Sequence, residues 1–227
     1  MKDSKLYPLL FLLSTFSCSS HVRNGSEMSA AGYKRYPMKS GVIEYTFNGK
    51  DRVKKFEGKQ IVYFDNWGMR EATYKKSEAT STTTMRVSDM EPMQFTDRKT
   101  SNTLNLIDGE WTYEVDLDSK IGRKTKKGIG KEFSPQMDEN NTGLMMEKIR
   151  MKSGMRRVGS EEILGKMCEV WESQSGFGKA WYWNAIPLKR EYSSNRENHT
   201  YIAIRIEENV TVDEDKFAIP PSISIRK

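Results

Sequence analysis

From Gly41 onward the chain alternates in side-chain character with a period of two, and short turn-forming dipeptides interrupt the alternation again and again. Ile43, Tyr45 and Phe47 alternate with Val42, Glu44 and Thr46, and Asn48-Gly49 follows at once. Alternation puts successive side chains on opposite faces of a strand. An Asn-Gly pair tolerates the positive φ of a tight hairpin. The same reading places turns at Glu57-Gly58-Lys59, Asp65-Asn66-Trp67-Gly68, Asp108-Gly109, Leu164-Gly165 and Ile186-Pro187, with strands between them. Trp111, Tyr113 and Val115 share one face of the strand after Asp108-Gly109, and Ile202, Ile204 and Ile206 share a face of residues 201–208. The Ser/Thr-rich stretch 77–84 reads as an edge strand.

The pattern changes once. Residues 142–153 carry Leu144, Met145, Ile149 and Met151 at three- and four-residue spacing, with Gly154 as a stop, which predicts a short helix. A second helical turn is expected at 213–216. The fold class is therefore mainly β (α+β). We expect a curved antiparallel sheet, a half barrel of roughly ten or eleven strands, with one or two short helices on its concave side. So few helices cover only part of one face, so the sheet must curve to bury the rest.

The N-terminal segment has a different character. Lys2 and Lys5 precede an apolar run from Leu6 to Leu13, and small or polar residues lead up to Cys18. Basic, apolar and small is the order of an export signal. The apolar run is too short to span a bilayer, which takes ~20 residues. A cysteine at the cut suggests a lipoprotein signal, with Cys18 as the lipidation site. An ordinary signal cut near Ser17 or Ser20 is the alternative. The domain reading is a signal peptide at 1–17, a lipid-anchor tether or linker at 18–40, and one folded domain at 41–227. The net charge of +6 comes from interspersed signs. Its densest basic run, Arg123 to Lys127, lies between glycines and reads as a loop. With export and no recognition motif, nucleic acid is not an expected partner.

A set of ordered segments resembles a known group. Residues 159–171 (Gly159-Ser160-Glu161 through Gly165-Lys166-Met167-Cys168 to Trp171) look like a Gly-x-Glu, Gly-Lys-x-Cys, aromatic pattern. Tyr63-Phe64-Asp65-Asn66-Trp67-Gly68, the strand Trp111 to Asp116, Trp181-Tyr182-Trp183 with Ile186-Pro187-Leu188-Lys189, and Phe217-Ala218-Ile219-Pro220 add further matches in that group's order. Over residues 40–221 the chain resembles uncharacterised exported proteins of Gram-negative bacteria with a LolA/LolB-like fold, that of outer-membrane lipoprotein carriers. The resemblance implies an unclosed curved sheet with helices across its concave side. In the better-known relatives that space holds acyl chains. A fold alone does not give a function.

Catalytic chemistry does not assemble from the sequence. His21 sits in the expected tether and His199 in an expected polar turn, both read as solvated, and neither has metal-ligand spacing. Cys168, between apolar strand neighbours, reads as a small buried hydrophobe. Glu161 and Glu162 are adjacent in a strand and face opposite ways. The expectation is therefore no enzyme, no cofactor and no catalytic or metal site. Aromatic and Met side chains remain. Trp111, Tyr113, Met145, Met151, Trp171, Trp181 and Trp183 are the candidate ligand-binding residues, in a crevice between sheet and helix, with plain core packing as the competing account.

The functional expectation is a cell-envelope lipoprotein, periplasmic or surface-facing and most readily at the outer membrane. It would be held to the membrane by its acyl anchor and would bind a lipid-like or other apolar ligand. The alternative is a non-enzymatic interaction module that binds another envelope protein through a sheet edge.

Overall fold

The computed structural model describes residues 34–85, 91–126 and 142–226. The chain divides into two compact units, Met1–Ala31 and Gly32–Lys227, and every described residue belongs to the second. Cys18 and His21 lie outside the described residues.

Twelve strands form one sheet: β1 (Gly41–Lys50), β2 (Lys54–Asp65), β3 (Arg70–Met85), β4 (Met93–Asp108), β5 (Trp111–Asp116), β6 (Ile121–Thr125), β7 (Met155–Ile163), β8 (Lys166–Ser173), β9 (Gly178–Trp183), β10 (Ile186–Ser193), β11 (Asn198–Glu208) and β12 (Ser224–Arg226). The sheet order is β12-β6-β5-β4-β3-β2-β1-β11-β10-β9-β8-β7. All neighbours run antiparallel except β12, which lies parallel to β6. The sheet is curved and open, because β12 and β7 end the order and do not pair with each other. One α-helix, α1 (Thr142–Lys152), precedes β7. The architecture is that of a half barrel with few helices, as the alternation predicts, with twelve strands rather than ten or eleven.

Several turns fall elsewhere than the dipeptides suggest. β1 continues through Asn48-Gly49 to Lys50, and the chain reverses at residues 51–53. There the Asp51 carboxylate accepts hydrogen bonds from the Val53 and Lys54 amides at 2.9 and 2.8 Å. An Asx-type turn thus replaces the expected Asn-Gly hairpin. Gly58 likewise lies inside β2, opposite Phe47 on β1. Both glycines make room for rings. A Cβ on Gly49 would stand 2.4 Å from Phe56 Cζ, and one on Gly58 would stand 2.4 Å from Phe47 Cζ. Glycine within a strand often marks such a close approach rather than a turn.

Other expectations are corrected in the same way. Residues 77–81 are not an edge, since β3 pairs with β2 as far as Ser81 and with β4 along its whole length, while residues 82–84 pair with β4 alone. Besides the terminal strands β12 and β7, the first part of β4 has no second strand neighbour among the described residues, since β5 reaches only to Thr103. Arg123 to Thr125 form part of β6, not a loop. The β9–β10 turn is at 184–185, so Ile186 and Pro187 open β10. In β11 a bulge opposite Glu44 and Tyr45 breaks the isoleucine alternation. Ile206 pairs with Ile43 and Ala203 with Tyr45, which leaves Ile204 exposed. A bulge inserts one residue, and the side chains past it swap faces.

The sheet buries apolar side chains on both faces. On β2 and β3, Val62 and Phe64 alternate with Tyr63, and Thr73 alternates with Ala72 and Tyr74. The first face carries a cluster of Ile43, Tyr45, Val62, Phe64, Cys168, Trp181 and Leu188, among others. The second carries Ala72, Leu104, Leu106, Val115 and Phe217. A fully buried side chain such as Phe64 contributes about 1.5–3 kcal/mol.

Candidate functional site

Each terminal segment of the described domain covers a different face. Residues 34–40, expected to be tether, are packed onto the sheet. Tyr36 and Met38 are buried in the first cluster, and the Arg35 and Tyr36 amides donate to the Trp67 carbonyl at 2.9 and 3.1 Å. Tyr36 stacks obliquely on Phe64 at 4.6 Å. Its hydroxyl donates a short hydrogen bond to Glu71. Glu71 is only 4% exposed. It also pairs with Arg35 at 2.9 Å and accepts from the Thr73 hydroxyl at 3.3 Å. A buried carboxylate needs such saturation, because an unpaired one costs several kcal/mol.

The C-terminal segment fills the second face. Phe217 inserts beside Leu104, Leu106 and Val115, with Val212, Ile219, Ile223 and Ile225 around it. The Arg70 guanidinium lies 4.5 Å over the Phe217 ring and pairs with Glu214 at 2.6 Å. The Tyr74 hydroxyl donates to the Lys216 carbonyl at 3.0 Å. The C-terminal segment thus covers the middle of this face, and Tyr63, Tyr74 and Tyr113 around it stay half-buried.

Among the described residues, the first face has no comparable plug along its whole length. Beyond Tyr45 the rings continue down β1, β2, β10 and β11. Tyr45 and Tyr201 are 4.7 Å apart, and Phe47 stacks on Tyr201 at 5.9 Å. Phe56 and His199 lie 6.4 Å apart, and Tyr192 stacks on His199 at 5.1 Å. Phe47 and Phe56 lie flat because Gly58 and Gly49 are beneath them. Phe56, Tyr192, His199 and Tyr201 are half-buried, so the strip ends at solvent. His199 is a strand residue with a stacked ring, not the solvated turn residue the sequence suggests. Burial, and secondarily the positive charge of Arg190, hold its imidazole below the usual histidine value against an upward pull from Glu197.

Two cations flank the strip. The Lys75 ammonium lies 4.7 Å over Phe47, and the Arg190 guanidinium lies 4.9 Å over Tyr201. Desolvation, and then the neighbouring charge of Arg190, lower the Lys75 pKa, although its side chain still reaches solvent. Burial pushes the phenols of Tyr45 and Tyr201 well above their usual range, so both stay protonated donors.

The structure does not bring the seven sequence-predicted residues into one crevice. Trp111 and Tyr113 are half-buried on β5, in register with Asp108 and Leu106 and therefore on the second face. Lys124 caps both rings, at 3.8 and 5.3 Å. Trp181 and Trp183 pack with the first cluster, and the Trp181 indole donates to Glu161 at 2.6 Å. Trp171 is fully buried on the other side of β8 from Cys168 and Val170. There α1 meets the sheet through Arg150, whose guanidinium lies 3.9 Å over Tyr182 and 5.4 Å from Trp171. Arg150 also donates to the Asn184 carbonyl at 2.9 Å and pairs with Glu169 at 3.4 Å. Among the described side chains of α1, the buried one is Arg150, and it meets the sheet on the side opposite Trp181 and Trp183. Met151 is 55% exposed. Met145 belongs to α1, and its side chain is outside the described part.

Cys168 is a free, buried thiol that donates to the Lys166 carbonyl at 3.4 Å. Burial raises its pKa to about 11, which keeps it a thiol and a poor nucleophile. Among the described residues no group of three or more His, Cys, Asp or Glu is placed to hold a metal ion, and no helix is long and apolar enough to cross a membrane.

No protein-family model matches the chain. No curated protein matches it either. Solved structures do align over most of its length. An uncharacterised conserved protein from Thermus thermophilus shares 10% identity with a TM-score of 0.46, covering 84% of this chain and 91% of its own. A DUF1329 family protein from Desulfovibrio piger shares 10% identity with a TM-score of 0.29, covering 80% and 90%. A putative outer membrane lipoprotein-sorting protein domain from Vibrio parahaemolyticus shares 7% identity with a TM-score of 0.22, covering 79% and 89%.

Proposed function

We propose that this domain is a cell-envelope binding protein for an apolar or amphiphilic ligand, tethered to the membrane through Cys18, and that the ligand lies on the aromatic strip of the first face. The observation that carries the reading is the strip itself. Tyr45, Tyr201 and Phe47 form one group of ring contacts, and Phe56, His199 and Tyr192 form a second group further along the same strands, toward solvent. Ligand pockets are lined mainly by such side chains with a few placed polar groups. The site expected between sheet and helix thereby moves to a different set of residues. The protein acts by holding its ligand, not by transforming it.

Native mass spectrometry of gently purified full-length protein tests this. An adduct mass, or saturable uptake of a fluorescent fatty-acid analogue weakened by Tyr192→Ala and Phe56→Ala, is the expected result. A clean apo mass together with no uptake defeats the reading.

One observation favours the interaction module. Met85, Met93 and Phe95 lie exposed at the far end of β3 and β4, beside the part of β4 that lacks a second neighbour. An open apolar edge is a template for strand addition. Replacing Met93 and Phe95 by Lys, then testing co-purification from envelope extracts, separates the two. Loss of a specific partner with ligand uptake intact favours the module.

A further inference from the structure

The aromatic strip carries polar groups that no described group satisfies. The Tyr201 hydroxyl and the Arg190 Nε are both buried and have no hydrogen-bond partner among the described residues. They belong to neighbouring side chains, since the Arg190 guanidinium lies 4.9 Å over the Tyr201 ring. Buried donors without acceptors are rare in native proteins, and each one calls for an explanation. Lys75 adds a second positive charge on the same face. Its register partner is Gln60, whose own partner is Tyr45, so the three lie in one rank across β3, β2 and β1.

These two cations lack a counter-charge: among the described residues no carboxylate forms an ion pair with Lys75 or Arg190. Glu71 on this face is already engaged by Arg35, Tyr36 and Thr73, and the nearby Glu191 pairs with Lys189 at 2.8 Å. Arg205, by contrast, pairs with both Glu44 and Glu207. Lys75 and Arg190, with no carboxylate partner among the described residues, are instead stacked on adjoining rings, Phe47 and Tyr201, which are 5.9 Å apart. Like charges so placed repel, and the repulsion is relieved when an anion joins them. Arginine presents a planar fork suited to carboxylate or phosphate oxygens, and lysine presents a point charge.

We propose that Lys75 and Arg190, with the Tyr201 hydroxyl, form a site for the anionic headgroup, carboxylate or phosphate, of an amphiphile whose apolar chain lies on the strip. The proposal rests on the reading of the strip as an apolar binding surface and adds the chemical class of its ligand. Lys75, being exposed, meets the headgroup first. Arg190 and Tyr201 supply donors at the buried end.

The test uses full-length protein and three probes in titration calorimetry: oleate below its micelle concentration, oleyl alcohol and inorganic phosphate. Oleate is expected to bind at least about tenfold more tightly than oleyl alcohol, the scale of one or two charge-assisted hydrogen bonds. Lys75→Gln and Arg190→Gln should each remove most of that difference and leave oleyl alcohol unchanged. If Arg190→Gln fails to fold, Lys75→Gln decides, since its side chain reaches solvent. Equal binding of oleate and oleyl alcohol, or oleate binding untouched by Lys75→Gln, overturns the headgroup site while leaving the apolar surface intact. Phosphate binding that Lys75→Gln abolishes, with neither amphiphile bound, keeps the anion site and assigns it to a free anion, which defeats the apolar reading instead. No binding of any probe overturns both.

Discussion

The two faces of the sheet solve the same problem differently. Both expose rows of apolar side chains, and both receive a terminal segment of the domain. On the second face the C-terminal segment supplies Val212, Phe217, Ile219, Ile223 and Ile225, and the row over β3, β4 and β5 is filled. On the first face residues 34–40 supply Tyr36 and Met38, which cover the end near Phe64. Beyond Tyr45 the described chain provides no further plug, and the surface passes into half-buried rings and two cations. The difference teaches that, among the described residues, a terminal segment packs onto the middle of one face but onto only one end of the other. The face covered at its middle is the reference against which the other is measured.

The largest test concerns the buried carboxylate that fastens the N-terminal segment. Glu71→Ala should lower stability by about 3–5 kcal/mol, the usual cost of breaking a buried pair, read as a shift in the urea midpoint at unchanged slope. A loss below about 1 kcal/mol would show that Tyr36 and Met38 hold the segment by packing alone.

Deletion of a ring should then distinguish the faces. Phe217→Ala leaves a cavity in a filled cluster and should cost about 3–5 kcal/mol. Tyr192→Ala at the solvent end of the strip should cost less than about 1 kcal/mol while weakening ligand uptake. Equal costs would mean the strip is ordinary core and would break the comparison.

A smaller effect is expected beneath the rings. Gly58→Ala places a Cβ 2.3 Å from the Lys76 carbonyl and 2.4 Å from Phe47 Cζ. Phe47 must lift, at a cost of about 1–3 kcal/mol for overpacking. The matching change at Gly109, where a Cβ would meet nothing within 4 Å, is strained only by its φ of 58°. If the two variants melt alike, the ring-bearing role of Gly58 fails.

The smallest effect is a pH dependence. The folded imidazole of His199 has a lowered pKa, so below the ordinary value of about 6.5 the unfolded chain binds its proton first. The stability linked to this ring is therefore complete above that pH and is lost as pH falls toward the folded value. His199→Phe should flatten the thermal midpoint between pH 7 and 5. An unchanged slope would mean that other groups, not this stacked ring between Tyr192 and Phe56, set acid sensitivity.

Much of the fold is legible in the residue order. Alternation in Ile43, Tyr45 and Phe47, the turn at Leu164-Gly165 and the helix ending before Gly154 all appear as read. The candidate site was less legible. Of the seven residues chosen, Trp181 and Trp183 pack into the first cluster. Tyr113 shares the second face with Trp111, and Trp171 lies beside Arg150. The missed residues Phe47, Phe56, Lys75, Arg190 and Tyr201 sit on five different strands, and only sheet order makes them neighbours. One signal was present but read otherwise. Gly49 and Gly58 each lie near a phenylalanine in sequence, and a glycine inside an alternating run marks a close approach as readily as a turn.

By itself the sequence determined that this chain builds a long antiparallel sheet with one short helix, because the periods of two and of 3.6 are local properties of the backbone. The tertiary structure alone decided which face each ring occupies, because a single bulge, as in β11, reverses every side chain beyond it. It also decided which rings Lys75 and Arg190 lie over, for that depends on strands far apart in the chain lying side by side in the sheet.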